Sequence, residues 1–271
     1  MEFGRRTAVR DAATHCKRAR SVVRIISNRM NTQFIILAAG KGTRMNSALP
    51  KVLVGLKGKP LIQHLLDSIR QISHEHKPVI VVGHKYDLVQ SYLGSNFIYA
   101  FQEGQLGTAH AVASAESKVE AENALVLYGD MPFVKSDSLK KLVDLHLKNE
   151  SMFSMLTTQV PNFENEFSSF LGFGRIIRQN GKISAIREFV DAAEEERQIK
   201  EVNPGIYLFN SKWLWEHLPQ VPKNKHDEYY LTDLVEIAIK KNVPIATAAI
   251  DPLEVFGINT PAQLQQAENL L

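Results

Sequence analysis

The sequence predicts an α/β fold: a mostly parallel sheet flanked by helices, with an antiparallel β insertion. Three observations carry that expectation. Short apolar runs alternate with amphipathic helical stretches from residue 34 to 148, the arrangement that buries a parallel sheet on both faces. The first apolar run leads directly into a glycine-rich loop, Gly40-Lys41-Gly42. After Glu150 the pattern changes, and Asn180-Gly181 separates two short β-type runs, the strongest short hairpin signal.

Buried strands are expected at 34–39, 78–82, 98–101 and 124–128. A helix over 60–72 places Leu61, Ile62, Leu65, Leu66, Ile69 and Ile72 on one face, with Pro60 in its first turn. Helices are also expected at 108–119 and 136–148, N-capped by Thr108 and Ser136. The second half predicts a hairpin over 174–189, a strand at 202–210, a helix at 230–241, a strand at 245–250 and a closing helix at 261–271. There is no internal repeat and no Gly/Ser/Pro-rich linker. The expectation is one domain over 30–271 that carries an insertion, rather than two domains.

Composition narrows the function classes. The 271 residues, 44% hydrophobic and 23% charged, exclude a disordered, collagen-like or membrane-bundle chain. No run of eighteen apolar residues is present to span a bilayer. The single cysteine, Cys16, can form neither an intramolecular disulfide nor a multi-cysteine zinc site, so a reducing, cytoplasmic setting is expected. The net charge of +3 is unevenly spread. Arg5, Arg6, Arg10, Lys17, Arg18, Arg20, Arg24 and Arg29 face only Glu2 and Asp11 in residues 1–29, which leaves a mildly acidic body. Such a body is a poor nucleic-acid binder. The extension lacks the apolar core of a secretory signal. Met30, followed at once by Asn31, Thr32 and an apolar strand, reads as the natural start, with residues 1–29 a disordered extension or a mispredicted start.

Glycines after a buried strand let a backbone pass close to a ligand and aim N–H groups at phosphate oxygens. Three readings of Leu37-Ala38-Ala39-Gly40-Lys41-Gly42-Thr43-Arg44-Met45 compete. A P-loop needs four residues between its glycine and Gly-Lys, and that spacing is absent. A dinucleotide fingerprint needs a third glycine where Met45 stands, and an acidic residue where Gly83-His84-Lys85 stands. The third reading is a nucleotidyltransferase loop, in which Arg44 and Lys51 oppose a triphosphate with a fork and a mobile point charge.

Further motifs follow in order: LPKVL at 49–53, QEGQLGTAHA at 102–111, LYGDMP at 127–132, GFGRI at 172–176, the segments around Glu188 and Asn203, EYYLTD at 228–233 and EVFGIN at 254–259. With LAAGKGTRM at 37–45 they make the chain from Asn31 to Leu271 resemble the uridylyltransferase half of the bacterial bifunctional N-acetylglucosamine-1-phosphate uridyltransferase/glucosamine-1-phosphate acetyltransferases, of the MobA-like sugar-nucleotidyltransferase superfamily. The resemblance implies a Rossmann-like, nucleotide-diphospho-sugar transferase fold. It also implies Mg²⁺-dependent uridylyl transfer from UTP to N-acetylglucosamine 1-phosphate. By the same resemblance Arg44 and Lys51 are the catalytic cations. Leu37, Ala38, Ala39, Gly40, Gln102, Gly107 and Thr108 bind the nucleotide. Tyr128, Gly129, Asp130, Gly174, Glu188, Asn203 and Asn259 bind the substrates, and Asp130 and Asn259 are the Mg²⁺ partners.

These residue types suit the chemistry. A carboxylate after a central strand lies where open parallel sheets bind ligands, and Mg²⁺ prefers oxygen donors shared with phosphates. A carboxamide can both donate to and accept from a pyrimidine edge. Plainer roles stand beside these: Asp130 as a turn residue, Thr108 as a cap, Gly107 as a bend, Glu188 as an exposed strand residue and Asn203 as a turn residue. His110 reads as a hydrogen-bonded core histidine rather than a catalytic one, and no histidine or cysteine at ligand spacing supports zinc.

Two positions depart from the family pattern, Val190 before Asp191-Ala192 and Pro204 after Asn203. Hexapeptide repeats are absent up to Leu271, so acetyl transfer and β-helix trimerisation are not expected. The expected partners are small molecules, UTP and a sugar 1-phosphate, with no nucleic acid and no membrane, and the expected state is a monomer. The acidic run 194–200 reads as a solvated face. A transferase acting on another sugar phosphate or nucleotide, or a non-catalytic sugar-nucleotide sensor, are the alternatives; the failed fingerprint disfavours a dinucleotide oxidoreductase.

Overall fold

The structure is a computed structural model that describes residues 31–72 and 75–270; the expectations for residues 1–29 and for a start at Met30 lie outside them. The first strand, β1 (Thr32–Leu37), lies parallel between β4 (Val79–Val82) and β6 (Asn123–Tyr128), and β5 (Ile98–Phe101) extends the sheet beyond β4. Alternate side chains of β1 serve opposite cores. Phe34 and Ile36 pack with Ile80, Leu125 and Leu127 under the helices Leu61–Ile69 and Ser136–Lys148. Ile35 and Leu37 pack with Val79, Val81 and Val126 under the helices Thr108–Ala113, Ser211–His217 and Asp233–Lys240. Both faces are covered, which is why the strand reads as one unbroken apolar run. Each such buried side chain contributes about 1.5–3 kcal/mol.

The second half adds β7 (Phe153–Gln159), β8 (Gly174–Gln179), β9 (Lys182–Arg187), β10 (Glu201–Asn203), β11 (Tyr207–Asn210) and β12 (Ile245–Ala249). The order in the ten-stranded sheet is β5-β4-β1-β6-β11-β7-β10-β8-β9, with β12 parallel to β7. Strand β11 enters antiparallel between β6 and β7, and β8 and β9 form the expected hairpin around Asn180-Gly181. The α/β architecture, with its parallel core and antiparallel extension, therefore matches the sequence reading. From β1 the chain turns to β4 and β5 on one side, then crosses back to β6 on the other. At that reversal the loops leaving β1 and β6 diverge and open a crevice at the carboxyl ends of the strands. Leu37 and Tyr128 end their strands side by side, and the Gly129 N–H donates to the Leu37 carbonyl at 3.0 Å.

Several boundaries move. Ala38 and Ala39 leave the β1 ladder, although the Ala38 N–H still donates to the Val81 carbonyl at 2.9 Å. Pro60 precedes the helix Leu61–Ile69 in extended conformation and pairs with Gly55. The helix expected over 108–119 is a shorter helix, Thr108–Ala113, followed by a 3₁₀ turn at Glu116–Lys118. Neither Thr108 nor Ser136 is an N-cap, since Gly107 and Lys135 hold those positions. Thr108 Oγ1 instead accepts from the Leu231 N–H at 2.9 Å, and Ser136 Oγ donates to Gln71 Oε1 at 3.1 Å. The helix expected at 230–241 begins only at Asp233, because the Tyr229 backbone pairs with Leu106 and Ala109 instead.

The strand expected at 202–210 is two. Strand β10 runs with β8 and the end of β7, whereas β11 runs with β6 and the start of β7. Between them Pro204 offers no N–H, and Gly205 holds φ +76° where a Cβ would sit 2.5 Å from the Tyr128 ring. The acidic run is exposed around the short helix Glu194–Arg197. The sequence reading did not identify β7, the small hairpin of β2 (Gly55–Leu56) and β3 (Lys59–Pro60), or the helices Tyr86–Leu93 and Ser211–His217. Among the described residues no helix is long and apolar enough to cross a membrane.

Candidate active site

The crevice divides into two compartments with a common wall. The first, about 460 Å³, opens over the end of β1 and is lined by Leu37, Ala38, Ala39, Gly40, Gln102, Gly107 and Thr108, with Arg44 and Lys51 along one side. All seven candidate nucleotide-binding residues are thus brought together. Gln105 Nε2 donates to the Ala39 carbonyl at 2.7 Å and fixes the start of the glycine-rich loop. Gln102 Nε2 donates to the Gly107 carbonyl at 3.2 Å and pairs with His110 Nδ1 at 3.0 Å. That engages both N–H groups of the carboxamide and leaves Oε1 as its acceptor. His110 orients Gln102, which accords with its reading as a non-catalytic residue. Gly107 has φ +99°, and a Cβ there would collide with the Tyr229 backbone, so any side chain would push the 228–232 segment away from this wall.

The second compartment, about 380 Å³, is lined by Gly174, Glu188, Asn203 and Asn259, and shares Lys51, Thr108, Tyr128 and Asp130 with the first. Every candidate substrate-binding residue lines it except Gly129. That glycine lines neither compartment; it is a close-packed joint, where a Cβ would lie 3.0 Å from Val52 Cγ1 and 3.3 Å from the Leu37 carbonyl. Asn203 Nδ2 donates to Tyr207 Oη at 2.6 Å, and its Oδ1 accepts from the Gly205 N–H at 3.0 Å. The amide is therefore held rigidly by the strand break beside it. Tyr128 is raised well above its usual pKa by burial, with the charges of Glu188 and Asp130 adding to this and a hydrogen bond with Thr108 opposing it. It stays a neutral donor between the two chambers.

At the common wall four residues from distant parts of the chain meet. Lys51 forms an ion pair with Asp130, and its Nζ donates to Asn259 Oδ1 at 2.8 Å. Arg44 Nη2 reaches the same Oδ1 at 3.3 Å. The Ile258 N–H donates to the Asp130 carbonyl at 3.0 Å, which ties the 257–259 segment alongside Asp130. The Asp130 carboxylate and the Asn259 amide oxygen thus face one point, already reached by an ammonium. Among the described residues no group of three or more His, Cys, Asp or Glu gathers as a metal cage. One carboxylate and one amide oxygen form the sparse, hard donor set of an ion that takes its other ligands from phosphates and water.

Residues that were not singled out also line the site. Tyr230 borders both compartments, Thr232 and Phe173 the second, and Gln105 and Glu228 the first. Tyr230 and Thr232 lie in EYYLTD, on the stretch before the helix Asp233–Lys240. The motif is visible in the sequence, but nothing local to Tyr230 or Thr232 distinguishes them as lining residues. Of the two departures, Val190 is exposed, whereas Pro204 lies in the second compartment's wall.

Comparisons with known proteins bear on the family and the fold. Residues 34–227 match the model of the MobA-like NTP transferase domain. The chain is 42% identical over 244 residues to the bifunctional protein GlmU of Caldicellulosiruptor saccharolyticus, an overlap of 88% of this chain and 51% of that protein. It is 39% identical over 246 residues to the bifunctional protein GlmU of Clostridioides difficile, covering 89% and 52%. The chain thus spans about half the length of the curated relatives it matches. Among solved structures, UDP-glucose pyrophosphorylase complexed with UDP-glucose superposes with a TM-score of 0.72 at 19% identity, covering 89% of this chain and 98% of that one. The inositol-1-phosphate CTP transferase from T. maritima gives 0.68 at 18% identity, covering 89% and 94%. At those identities the structures speak for the fold alone. The chain is a member of the MobA-like NTP transferase domain family.

Proposed function

We propose that this protein transfers a uridylyl group from UTP to N-acetylglucosamine 1-phosphate, giving UDP-N-acetylglucosamine and pyrophosphate. The observation that carries the reading is the meeting of Arg44, Lys51, Asp130 and Asn259 where the two compartments touch. The parallel-core compartment takes the nucleotide and the antiparallel one takes the sugar. Gln102 Oε1 accepts from the pyrimidine ring, and the backbone from Leu37 to Gly40 lies along the nucleotide. Glu188, Asn203 and the Gly174 backbone hold sugar hydroxyls and the N-acetyl group, so that a wrong sugar leaves buried polar atoms unpaired.

The sugar phosphate is already an anionic nucleophile, and no Ser–His pair or covalent enzyme intermediate is required. Its phosphate oxygen bonds to the α-phosphorus of UTP as the bond to the bridging oxygen breaks and pyrophosphate leaves. The residues of this chain align two anions that repel each other and offset charge on the departing group. Arg44 steadies the pyrophosphate side, and Lys51 balances phosphate charge at the reacting end. Asp130 and Asn259 would hold Mg²⁺, which when bound supplies charge neutralisation between the phosphates. This chemistry belongs in a cytoplasmic setting, with small molecules as the substrates.

The test is a substrate panel read by pyrophosphate release, with and without Mg²⁺. It sets UTP against CTP and dTTP, and N-acetylglucosamine 1-phosphate against glucose 1-phosphate. Pro204 in the acceptor wall is the reason to include a second sugar. The expected outcome is Mg²⁺-dependent turnover with UTP and N-acetylglucosamine 1-phosphate, and loss of at least a thousandfold in Asp130→Ala with an unchanged circular dichroism spectrum. Tight UDP-sugar binding without turnover would establish a sensor, and near-normal rates in Asp130→Ala would refute the metal assignment.

A further inference from the structure

Arg175 is 0% exposed, and no carboxylate lies within ion-pair distance of it among the described residues. A buried cation without a counter-charge is expensive unless its donors are all engaged. Here each of its three nitrogens donates to a backbone carbonyl. The guanidinium donates to Leu171 O at 3.0 Å, to Arg197 O at 3.1 Å and to Phe173 O. Its plane is flanked by the rings of Phe163, at 4.3 Å, and Phe189, at 5.3 Å. Phe189 is approached at 5.1 Å by a second guanidinium, that of Arg197.

The groups that Arg175 joins are those that shape the acceptor compartment. Gly172, Phe173 and Gly174 line its outer wall, and Glu188 precedes Phe189. Across the sheet Arg175 is paired with Val202 and Gly174 with Asn203, so the same short stretch fixes the register of the sugar-facing amide. An apolar residue would fill the volume but take this donor away from the carbonyls of Leu171, Phe173 and Arg197. A lysine could not spread its donors over three carbonyls, because it lacks the planar fork.

We propose that Arg175 is a positioning residue for the sugar phosphate: it clamps the 171–173 loop, the end of the helix Glu194–Arg197 and Phe189 around the acceptor compartment and leaves the nucleotide compartment alone. The inference rests on the uridylyltransferase reading above. Wild-type turnover tests that reading, and the split between substrates in the variants tests this one.

The experiment measures kcat and KM for each substrate in Arg175→Lys, Arg175→Met and Phe163→Leu, with thermal unfolding recorded beside them. Phe163→Leu removes one ring of the clamp without touching charge, and it carries the test if the Arg175 variants do not fold. The expected result is a rise of at least tenfold in KM for N-acetylglucosamine 1-phosphate in both Arg175 variants, and a rise of threefold or more in Phe163→Leu. The KM for UTP stays within twofold throughout. Arg175→Lys recovers melting temperature relative to Arg175→Met without recovering the acceptor KM. Equal changes in both KM values, or a drop in melting temperature with neither KM altered, would overturn the assignment and leave Arg175 a packing residue.

Discussion

Burial at the acceptor compartment lifts the Glu188 carboxyl above its usual pKa. The hydrogen bond with Thr232 opposes the shift, while the negative charges of Asp233 and Asp191 add to it. A carboxyl whose folded pKa is raised binds its proton more tightly in the native state. Its charge therefore destabilises the fold at neutral pH, and stability is regained as pH falls through the raised value toward 4.5. Glu188→Gln is accordingly expected to raise the melting temperature at pH 8. The gain narrows as the pH is lowered toward 4.5, and calorimetry across that range reads it directly. The same substitution raises KM for the sugar phosphate at least tenfold, an exchange of stability for recognition. A lower melting temperature at pH 8 would contradict this account.

Between elements, the clearest buried polar joint is His146 on the helix Ser136–Lys148. Its Nδ1 pairs with Ser154 Oγ of β7 at 2.8 Å, and its Nε2 with Asn123 Oδ1 of β6 at 3.2 Å. Burial lowers its pKa from 6.5 to about 4. The unfolded chain thus takes up a proton first as pH falls, and the stability contributed above pH 6.5 is lost progressively down to about pH 4. The loss is on the order of 3 kcal/mol. Urea unfolding should show wild type falling more steeply over that window than His146→Leu, which starts lower at pH 7 because Ser154 and Asn123 lose their partner. Parallel curves would rule the histidine out as the source. The same joint explains why β7 was hard to read from sequence. Ser154, Thr157 and Thr158 interrupt its apolar run, and each is accommodated by burial next to a specific partner or neighbour that only the fold supplies; Thr158 Oγ1, for instance, donates to the Ile250 carbonyl at 2.9 Å. Strands β1, β4 and β6 were legible because each carries an unbroken apolar run, at 34–37, 79–82 and 124–128. The helix Tyr86–Leu93 buries only Val89 and Leu93, too narrow a stripe to register as periodic. In the site, the role of Asp130 comes from the resemblance, while the glycine-rich loop and the position of Asp130 follow from strand ends. Asn259 does not, since only the resemblance, and then the Ile258–Asp130 backbone bond, brings it across 129 positions.

At the level of the whole molecule, the two compartments draw on different parts of one continuous sheet, the first mainly on the parallel core and the second also on the antiparallel extension. On the proposed function, UDP-N-acetylglucosamine with Mg²⁺ spans both and is expected to stabilise the folded state by mass action. At a hundredfold excess over Kd that amounts to about 2.7 kcal/mol, or roughly 5–10 °C in melting temperature for a chain of this length. Scanning fluorimetry is expected to show that shift in wild type and only a small Mg²⁺-dependent part of it in Asp130→Ala. No shift in wild type would mean that the joined compartments are not the product site.

The interruption at Pro204–Gly205 divides a single run of chain between two allegiances. Residues 207–210 pair with β6 and the start of β7, whereas 201–203 join the end of β7 to the hairpin strand β8. A substitution at 201–203 is therefore expected to reshape the wall that Asn203 and Pro204 give the second compartment, while the register of 207–210 between β6 and β7 is held.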